Sequence, residues 1–163
     1  MTIHIHALPP AELQRIREQG RDDHGNPFAV RLDDVGGAPL RCCLRDSRPG
    51  ERIGLISYSP VGQPGPYDES GPVFVHAEDC GGYAGADRYP AEFRARPQVF
   101  RTYRSDGTIS GGRMVSVDDD QEQAAAALLA DPDVAVVHSR NVVYGCYMFA
   151  ITRAADTEPA CLA

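Results

Sequence analysis

Residues 71–83 read Gly-Pro-Val-Phe-Val-His-Ala-Glu-Asp-Cys-Gly-Gly-Tyr. The apolar run before His76 predicts a short buried strand that ends at this histidine. Two glycines directly after Cys80 predict a tight turn that follows the strand. The segment therefore brings an imidazole, two carboxylates and a thiol together at the end of a strand, within five residues.

The length of the chain, 163 residues, is typical of one domain. A domain of this size buries roughly 70% of its unfolded surface and folds without a metal or a disulfide. Residues 1–153 carry the patterns of strands and helices, so we predict a single globular domain there. Residues 154–163, which include Cys161, show no periodicity, and we predict a disordered tail.

The charge of the chain is −7, and all 16 of its basic residues are arginine. This balance argues against nucleic-acid binding, which needs a basic surface. The absence of lysine excludes a Schiff-base lysine and a P-loop lysine. We expect no signal peptide and no membrane span, hence a cytoplasmic protein whose five cysteines are free thiols. The sequence gives no indication of the oligomeric state.

Alternating and apolar runs predict strands near residues 3–7, 28–32, 40–45, 53–59, 72–77, 99–104, 108–117, 134–139 and 142–152. Helices are predicted after Pro9-Pro10, ending at Gly20, and after a capping box at Ser116–Asp119, ending near Ala130. The last strand is apolar on both faces and should lie centrally. We therefore predict an α+β fold with one mostly antiparallel sheet of about seven or eight strands and two helices packed on it.

If residues 40–45 form a strand, alternate side chains lie on opposite faces. Leu40, Cys42 and Leu44 then belong to the core, where a thiol behaves as a small hydrophobic group. Cys43 shares the other face with two arginines. Because positive neighbours lower the pKa of a thiol, Cys43 is the more reactive cysteine of the pair in this interpretation.

Four stretches of the chain carry a family resemblance. They are Cys43-Leu44-Arg45 before Pro49-Gly50-Glu51, Ser57-Tyr58-Ser59-Pro60, Gly71-Pro72-Val73-Phe74-Val75-His76, and Arg140-Asn141 before Tyr144-Gly145-Cys146-Tyr147. With these stretches in order, the chain resembles the bacterial proteins of domain of unknown function 1203 over most of residues 1–153. The resemblance implies a compact single-domain bacterial protein and transfers no catalytic roles.

A small anionic ligand is the binding partner that the sequence favours. Residues 87–104 carry five arginines and two acids, and guanidinium groups bind carboxylate or phosphate. If the strand at residues 71–76 pairs with the strand that follows Arg140, a polar pocket near His76 results. Its ligand-binding side chains would be Arg140, Cys146, Tyr67 and Glu69, the last two from a proline-rich loop.

A thiol-dependent enzyme is the alternative. Cys80 or Cys43 would be the nucleophile, His76 the activating base, and the Gly81-Gly82 backbone or Arg140 the oxyanion donor. The sequence does not decide between enzyme and binding protein.

A zinc site would draw on Cys43, His76, Cys80, His138 or Cys146. Structural zinc sites usually show pairs such as Cys-x2-4-Cys, whereas this chain offers adjacent Cys42-Cys43 and His76-x3-Cys80. We therefore expect no metal and no cofactor.

Overall fold

The structure, a computed structural model, describes residues 1–61 and 64–156. Its helices and strands are β1 (Ile3–His6), α1 (Pro10–Gln19), β2 (Ala29–Asp33), β3 (Pro39–Leu40), β4 (Arg45–Asp46), β5 (Glu51–Tyr58), β6 (Gly71–His76), β7 (Gln98–Tyr103), β8 (Ile109–Val115), α2 (Gln121–Leu129), β9 (Val136–Asn141) and β10 (Tyr147–Arg153). A 3-10 turn, Ala91–Phe93, lies between β6 and β7.

The strands form two sheets of five rather than the single sheet of seven or eight predicted. Sheet 1 has the order β1-β10-β9-β7-β8, and sheet 2 the order β2-β5-β6-β3-β4. Every pair is antiparallel except β3 with β6, which is parallel. The α+β class with two helices is confirmed. The number of sheets was wrong because apolar alternation is the same in one large sheet and in two sheets that pack together.

Sheet 1 is buried on both faces in its central strands, β9 and β10. One hydrophobic cluster joins it to sheet 2 and α1, through residues such as Tyr147, Ile56 and Leu13. A second cluster joins it to α2 and includes Phe149 and Leu129. The predicted central position of the last strand is therefore confirmed.

The first helix has the predicted ends. It begins at Pro10, buries Leu13 and Ile16, and stops at Gly20, which adopts a left-handed conformation with φ of 66°. The second helix begins later than predicted, because Asp120 rather than Ser116 is its N-cap. The backbone N–H of Ser116 instead donates to the Asp119 carboxylate, at 2.8 Å, in the preceding turn.

Two predicted strand pairs are present. β7 and β8 form a hairpin across Asp106-Gly107, and β9 pairs with β10 across residues 142–146, a longer connection than the predicted turn. The predicted strand at 40–45 is wrong, because residues 41–44 are a turn between β3 and β4.

Cys161 and most of the predicted tail lie outside the described residues.

No helix within residues 1–61 and 64–156 is long and apolar enough to cross a membrane.

Candidate functional site

A tight turn at residues 41–44 carries two adjacent cysteines. The backbone N–H of Leu44 donates to the Leu40 carbonyl at 3.0 Å, and Leu44 has φ of 55°, in the left-handed region. In a strand, neighbouring side chains would point to opposite faces. In this turn the sulfur atoms of Cys42 and Cys43 lie 3.9 Å apart.

His76, the last residue of β6, contacts both of these thiols. Its Nδ1 atom lies 3.4 Å from the sulfur of Cys42 and 3.7 Å from that of Cys43. Its backbone N–H donates to the Cys42 sulfur at 3.3 Å. The end of β6 is thereby fixed against the turn.

Cys80 completes the group from the glycine-rich turn. Gly81 and Gly82 both have left-handed φ, 77° and 75°, which reverses the chain directly after the cysteine. The sulfur atoms of Cys42, Cys43 and Cys80 and one ring nitrogen of His76 all lie within 4.8 Å of one another. We call these four residues the Cys/His cluster.

The three thiols of the Cys/His cluster share hydrogen bonds, and their pKa values diverge. Hydrogen bonds from Cys42 and Cys43 lower the pKa of Cys80 well below its usual range, against the effect of burial. For Cys42, the hydrogen bond with Cys43 acts to lower the pKa, but donation to Cys80 and burial outweigh it and raise the pKa to about 11. The bonds with Cys42 and Cys80 raise the pKa of Cys43.

An ion pair borders the other side of the imidazole. Nε2 of His76 lies 3.1 Å from Nη2 of Arg45 and 3.5 Å from the Glu51 carboxylate. Arg45 and Glu51 pair with each other at 2.6 Å. This hydrogen bond from Arg45 is the largest reason that the pKa of Glu51 is lowered to about 2. A permanent carboxylate thus stands within reach of the imidazole.

A narrow gap lies beside the Cys/His cluster, under α1. Leu8, Leu13, Cys42 and Cys80 border a gap under α1 that has no room for a water molecule. Cys43 and Cys80 are each only partly buried.

A separate cleft of about 500 Å³ lies between sheet 2 and the 142–146 loop. Its walls are mostly apolar, and three polar side chains converge on it, those of Arg41, Arg96 and Asn141. We call it the Arg41 cleft; its apolar lining includes Pro39, Leu55, Pro72, Phe74 and Tyr144.

Arg41 is almost completely buried, with 2% of its surface exposed. Its Nε donates to the Tyr147 carbonyl at 2.8 Å, and its Nη1 donates to the Pro39 carbonyl. Burial lowers its pKa to about 10. Among the described residues, no carboxylate lies within ion-pair distance of this guanidinium.

A smaller cleft of about 210 Å³ adjoins the Arg41 cleft at Pro72 and Cys146. Arg140 and Glu69 line it, and Nη2 of Arg140 pairs with the Glu69 carboxylate. Arg101 donates to the same carboxylate at 2.9 Å. The predicted ligand-binding residues Arg140, Glu69 and Cys146 therefore meet at one place.

The structure separates these residues from His76. β6 pairs with β5 and β3, not with β10, so the predicted pairing of the two segments is wrong. Gly71 lines the smaller cleft and His76 ends the same strand, about 17 Å away by the rise of an extended chain. Tyr67 is 44% exposed and lines neither cleft.

Two important residues, Arg41 and Cys42, were missed as site residues. The turn that contains them has no glycine, proline or asparagine, so the sequence carries no turn signal there. The arginine-rich segment at 87–104 is largely neutralised, since Arg94, Arg96 and Arg101 pair with Glu122, Asp46 and Glu69.

Comparison with known families matches residues 37–153 to the family described as protein of unknown function (DUF1203). The chain belongs to this family. The resemblance noted in the sequence is thereby confirmed, and the matched range contains both clefts and the whole Cys/His cluster. Searches of curated proteins and of solved structures gave no match.

Proposed function

We propose that this protein binds a small organic anion, of the carboxylate class, in the Arg41 cleft. The observation that carries the proposal is the buried Arg41 guanidinium without a carboxylate partner among the described residues. A buried charge is costly unless it is paired, and backbone carbonyls satisfy only part of the guanidinium. A bound carboxylate would supply the missing charge through a charge-assisted hydrogen bond.

The walls of the Arg41 cleft define the rest of the ligand. Leu55 and Tyr144 are 44% and 80% exposed, so large apolar surfaces border a concave site. Binding sites of about 300–1,000 Å³ with apolar walls and few polar groups are typical for small molecules. Arg96 is neutralised by Asp46, which leaves Arg41 as the main anion-binding group. The ligand therefore has an apolar body and one carboxylate.

This proposal keeps the ligand class expected from the sequence and moves the pocket away from His76. Arg140, Glu69 and Cys146 border the adjoining cleft, where a longer ligand would extend. Tyr67 has no part in it.

Benzoate is a suitable probe because it joins an apolar ring to one carboxylate. We expect benzoate to raise the melting temperature more than chloride at equal ionic strength, because it binds the native state. Leu55→Glu places a negative charge on an exposed wall of the Arg41 cleft, where it repels the carboxylate of benzoate. This variant should show the same melting temperature in benzoate as in chloride. Arg88→Gln is the matched control, because it changes the net charge by the same amount at an exposed arginine outside the cleft. This variant should still be stabilised more by benzoate than by chloride.

Arg41→Lys retains the positive charge but loses the planar guanidinium group, which can donate two hydrogen bonds to one carboxylate. Calorimetry should show benzoate binding that is weaker by about 10- to 100-fold. Equal shifts with benzoate and chloride, or unchanged binding by Leu55→Glu, would reject the Arg41 cleft as the site.

A thiol-dependent enzyme that uses His76 with Cys80 or Cys43 is the second candidate. The observation in its favour is the contact between His76 and the Cys43 sulfur, at 3.7 Å. The gap beside Cys80 has no room for a water molecule, and this argues against Cys80 as the nucleophile, because a nucleophile must reach its substrate. Iodoacetamide labelling followed by mass spectrometry separates the two functions. Preferential labelling of Cys43 or Cys80 that is lost in His76→Ala would favour the enzyme.

A further inference from the structure

We infer that the Cys/His cluster is a structural zinc site, formed by the sulfur atoms of Cys42, Cys43 and Cys80 and by Nδ1 of His76. Three sulfur donors and one imidazole are a common ligand set for Zn²⁺. The evidence for this inference does not rest on the proposed anion binding, which involves other side chains.

The distances within the cluster fit a tetrahedron around one ion. Zn–S bonds of about 2.3 Å and Zn–N bonds of about 2.0–2.1 Å place two sulfur ligands about 3.8 Å apart and a sulfur and a nitrogen about 3.5 Å apart. The sulfur atoms of Cys42 and Cys43 are 3.9 Å apart. Nδ1 of His76 lies 3.4 and 3.7 Å from them. The remaining distances, to Cys80, are no longer than 4.8 Å.

The groups around the cluster are those that a zinc site needs. The backbone N–H of His76 donates to the Cys42 sulfur, and that of Gly82 bonds to Cys80. An imidazole that binds zinc through one nitrogen usually donates the other N–H to a carboxylate. Glu51 lies 3.5 Å from Nε2, and Nη2 of Arg45, which can only donate, lies closer at 3.1 Å. Binding of the ion through Nδ1 leaves the ring proton on Nε2, so Arg45 must turn away from Nε2 and let this N–H face Glu51.

Two arginines lie next to the site, and one of them, Arg45, is already paired with Glu51. Three thiolates and one Zn²⁺ leave a net charge of −1, and the thiol protons are released to solvent when the ion binds. Arg45 lies beside His76, and Arg17 of α1 donates to the His76 carbonyl at 3.1 Å. Both guanidinium groups therefore lie next to the negative site.

Four protein ligands, and an adjacent gap that is too small for a water molecule, indicate a structural role. The ion would join the 41–44 turn to the end of β6 and the glycine turn that directly follows it; Cys42 and His76 are 34 residues apart in sequence. The expectation of no metal came from the missing Cys-x2-4-Cys pair. In the structure the adjacent cysteines of the 41–44 turn supply the close pair of ligands instead. The expectation of no metal and the inference of a zinc site exclude each other, and a measurement of the zinc content decides between them.

Elemental analysis of the full chain, purified without chelator or affinity metal and dialysed against metal-free buffer, is the direct test. We expect about one zinc per chain, as for any closed four-ligand site. Cys43→Ser and Cys80→Ser each remove a zinc ligand. Each should lower the affinity for zinc more than the loss of a residue that only contacts a ligand, which costs roughly 10- to 100-fold. Glu51→Gln should lower it by about 10- to 100-fold. Cys146→Ser, the same change at a cysteine outside the cluster, should leave it unchanged.

Cobalt substitution of the unmodified protein keeps the test valid if a variant fails to fold. Co²⁺ should give the intense visible bands of a tetrahedral site and a thiolate charge-transfer band, both displaced by Zn²⁺. A folded protein that holds neither metal would overturn the inference. The inference would also be overturned if the Cys43→Ser and Cys80→Ser variants retained their full zinc content, because the ion would then reside elsewhere.

Discussion

Arg41 and Cys42 are neighbours in the chain, and their side chains belong to different sites. The guanidinium of Arg41 donates to the Tyr147 carbonyl and lines the Arg41 cleft. The sulfur of Cys42 lies 3.4 Å from His76 in the Cys/His cluster. A single turn therefore connects the two sites, and whatever fixes the position of Cys42 also fixes the backbone of Arg41.

Removal of the metal should weaken anion binding through this turn. If zinc holds residues 41–44 in place, the apoprotein must order Arg41 when the ligand binds, and the affinity for benzoate falls. Coupling between two sites is typically 5- to 150-fold, and we expect a loss within about this range. Calorimetry with benzoate before and after chelation measures it, and added zinc should restore the affinity. An apoprotein that binds benzoate equally well would show that the turn is rigid without metal.

Glu69→Gln should create a second anion site in the smaller cleft. The Glu69 carboxylate pairs with the buried Arg140 and with Arg101, so its neutralisation leaves two guanidinium groups unpaired. We expect a loss of about 1–3 kcal/mol in the free energy of unfolding, partly restored by added acetate. Urea denaturation with and without acetate is the measurement. Asp23→Asn, which breaks an exposed ion pair with Arg15, is the control and should cost less than about 1 kcal/mol. Equal acetate effects in both variants would contradict the prediction.

The parts of the fold that depend on local chemistry could be predicted from the sequence. Proline in the first turn and Gly20 at the end define α1, and Asp106-Gly107 defines the β7–β8 hairpin. The division into two sheets could not be predicted, because it depends on which strands meet. β10 packs against sheet 2 across the core through Tyr147 and pairs only with β1 and β9.

The candidate site shows the same limit. His76, Cys80 and Cys43 were selected from the sequence, and the structure brings them together. The alternation of residues 40–45 predicts that Cys42 lies in the core, which is correct, but it gives no sign of the contact with His76. Leu44 adopts a left-handed conformation that a leucine rarely takes, and it is buried against the second cluster. Tertiary packing imposes this turn, so local sequence rules could not find it.

Phe149→Ala should be among the most destabilising single changes. The ring is fully buried in β10, 5.2 Å from Tyr89 and stacked on Phe93 at 6.2 Å between ring centres. Truncation of a core phenylalanine leaves a cavity and costs about 3–5 kcal/mol. Chemical denaturation measures the loss. Val143→Ala, at a side chain that is 80% exposed, should change stability by less than about 0.5 kcal/mol. A loss below about 1 kcal/mol for Phe149→Ala would contradict the packing of sheet 1 on α2.

His138 should make the protein less stable in mild acid. Burial, with Arg140 and Arg101 nearby, lowers its pKa to about 3, and its ring lies between Tyr103 and Tyr147. Unfolding restores a pKa near 6.5, so between about pH 6.5 and 3 the unfolded state binds one more proton than the native state. Stability from this residue is therefore fully present above pH 6.5 and falls as the pH falls, by up to about 1.4 kcal/mol per pH unit. His138→Phe removes the titrating group and should flatten this part of the stability profile, measured by urea denaturation from neutral pH to pH 4. An unchanged slope would mean that other groups cause the acid sensitivity.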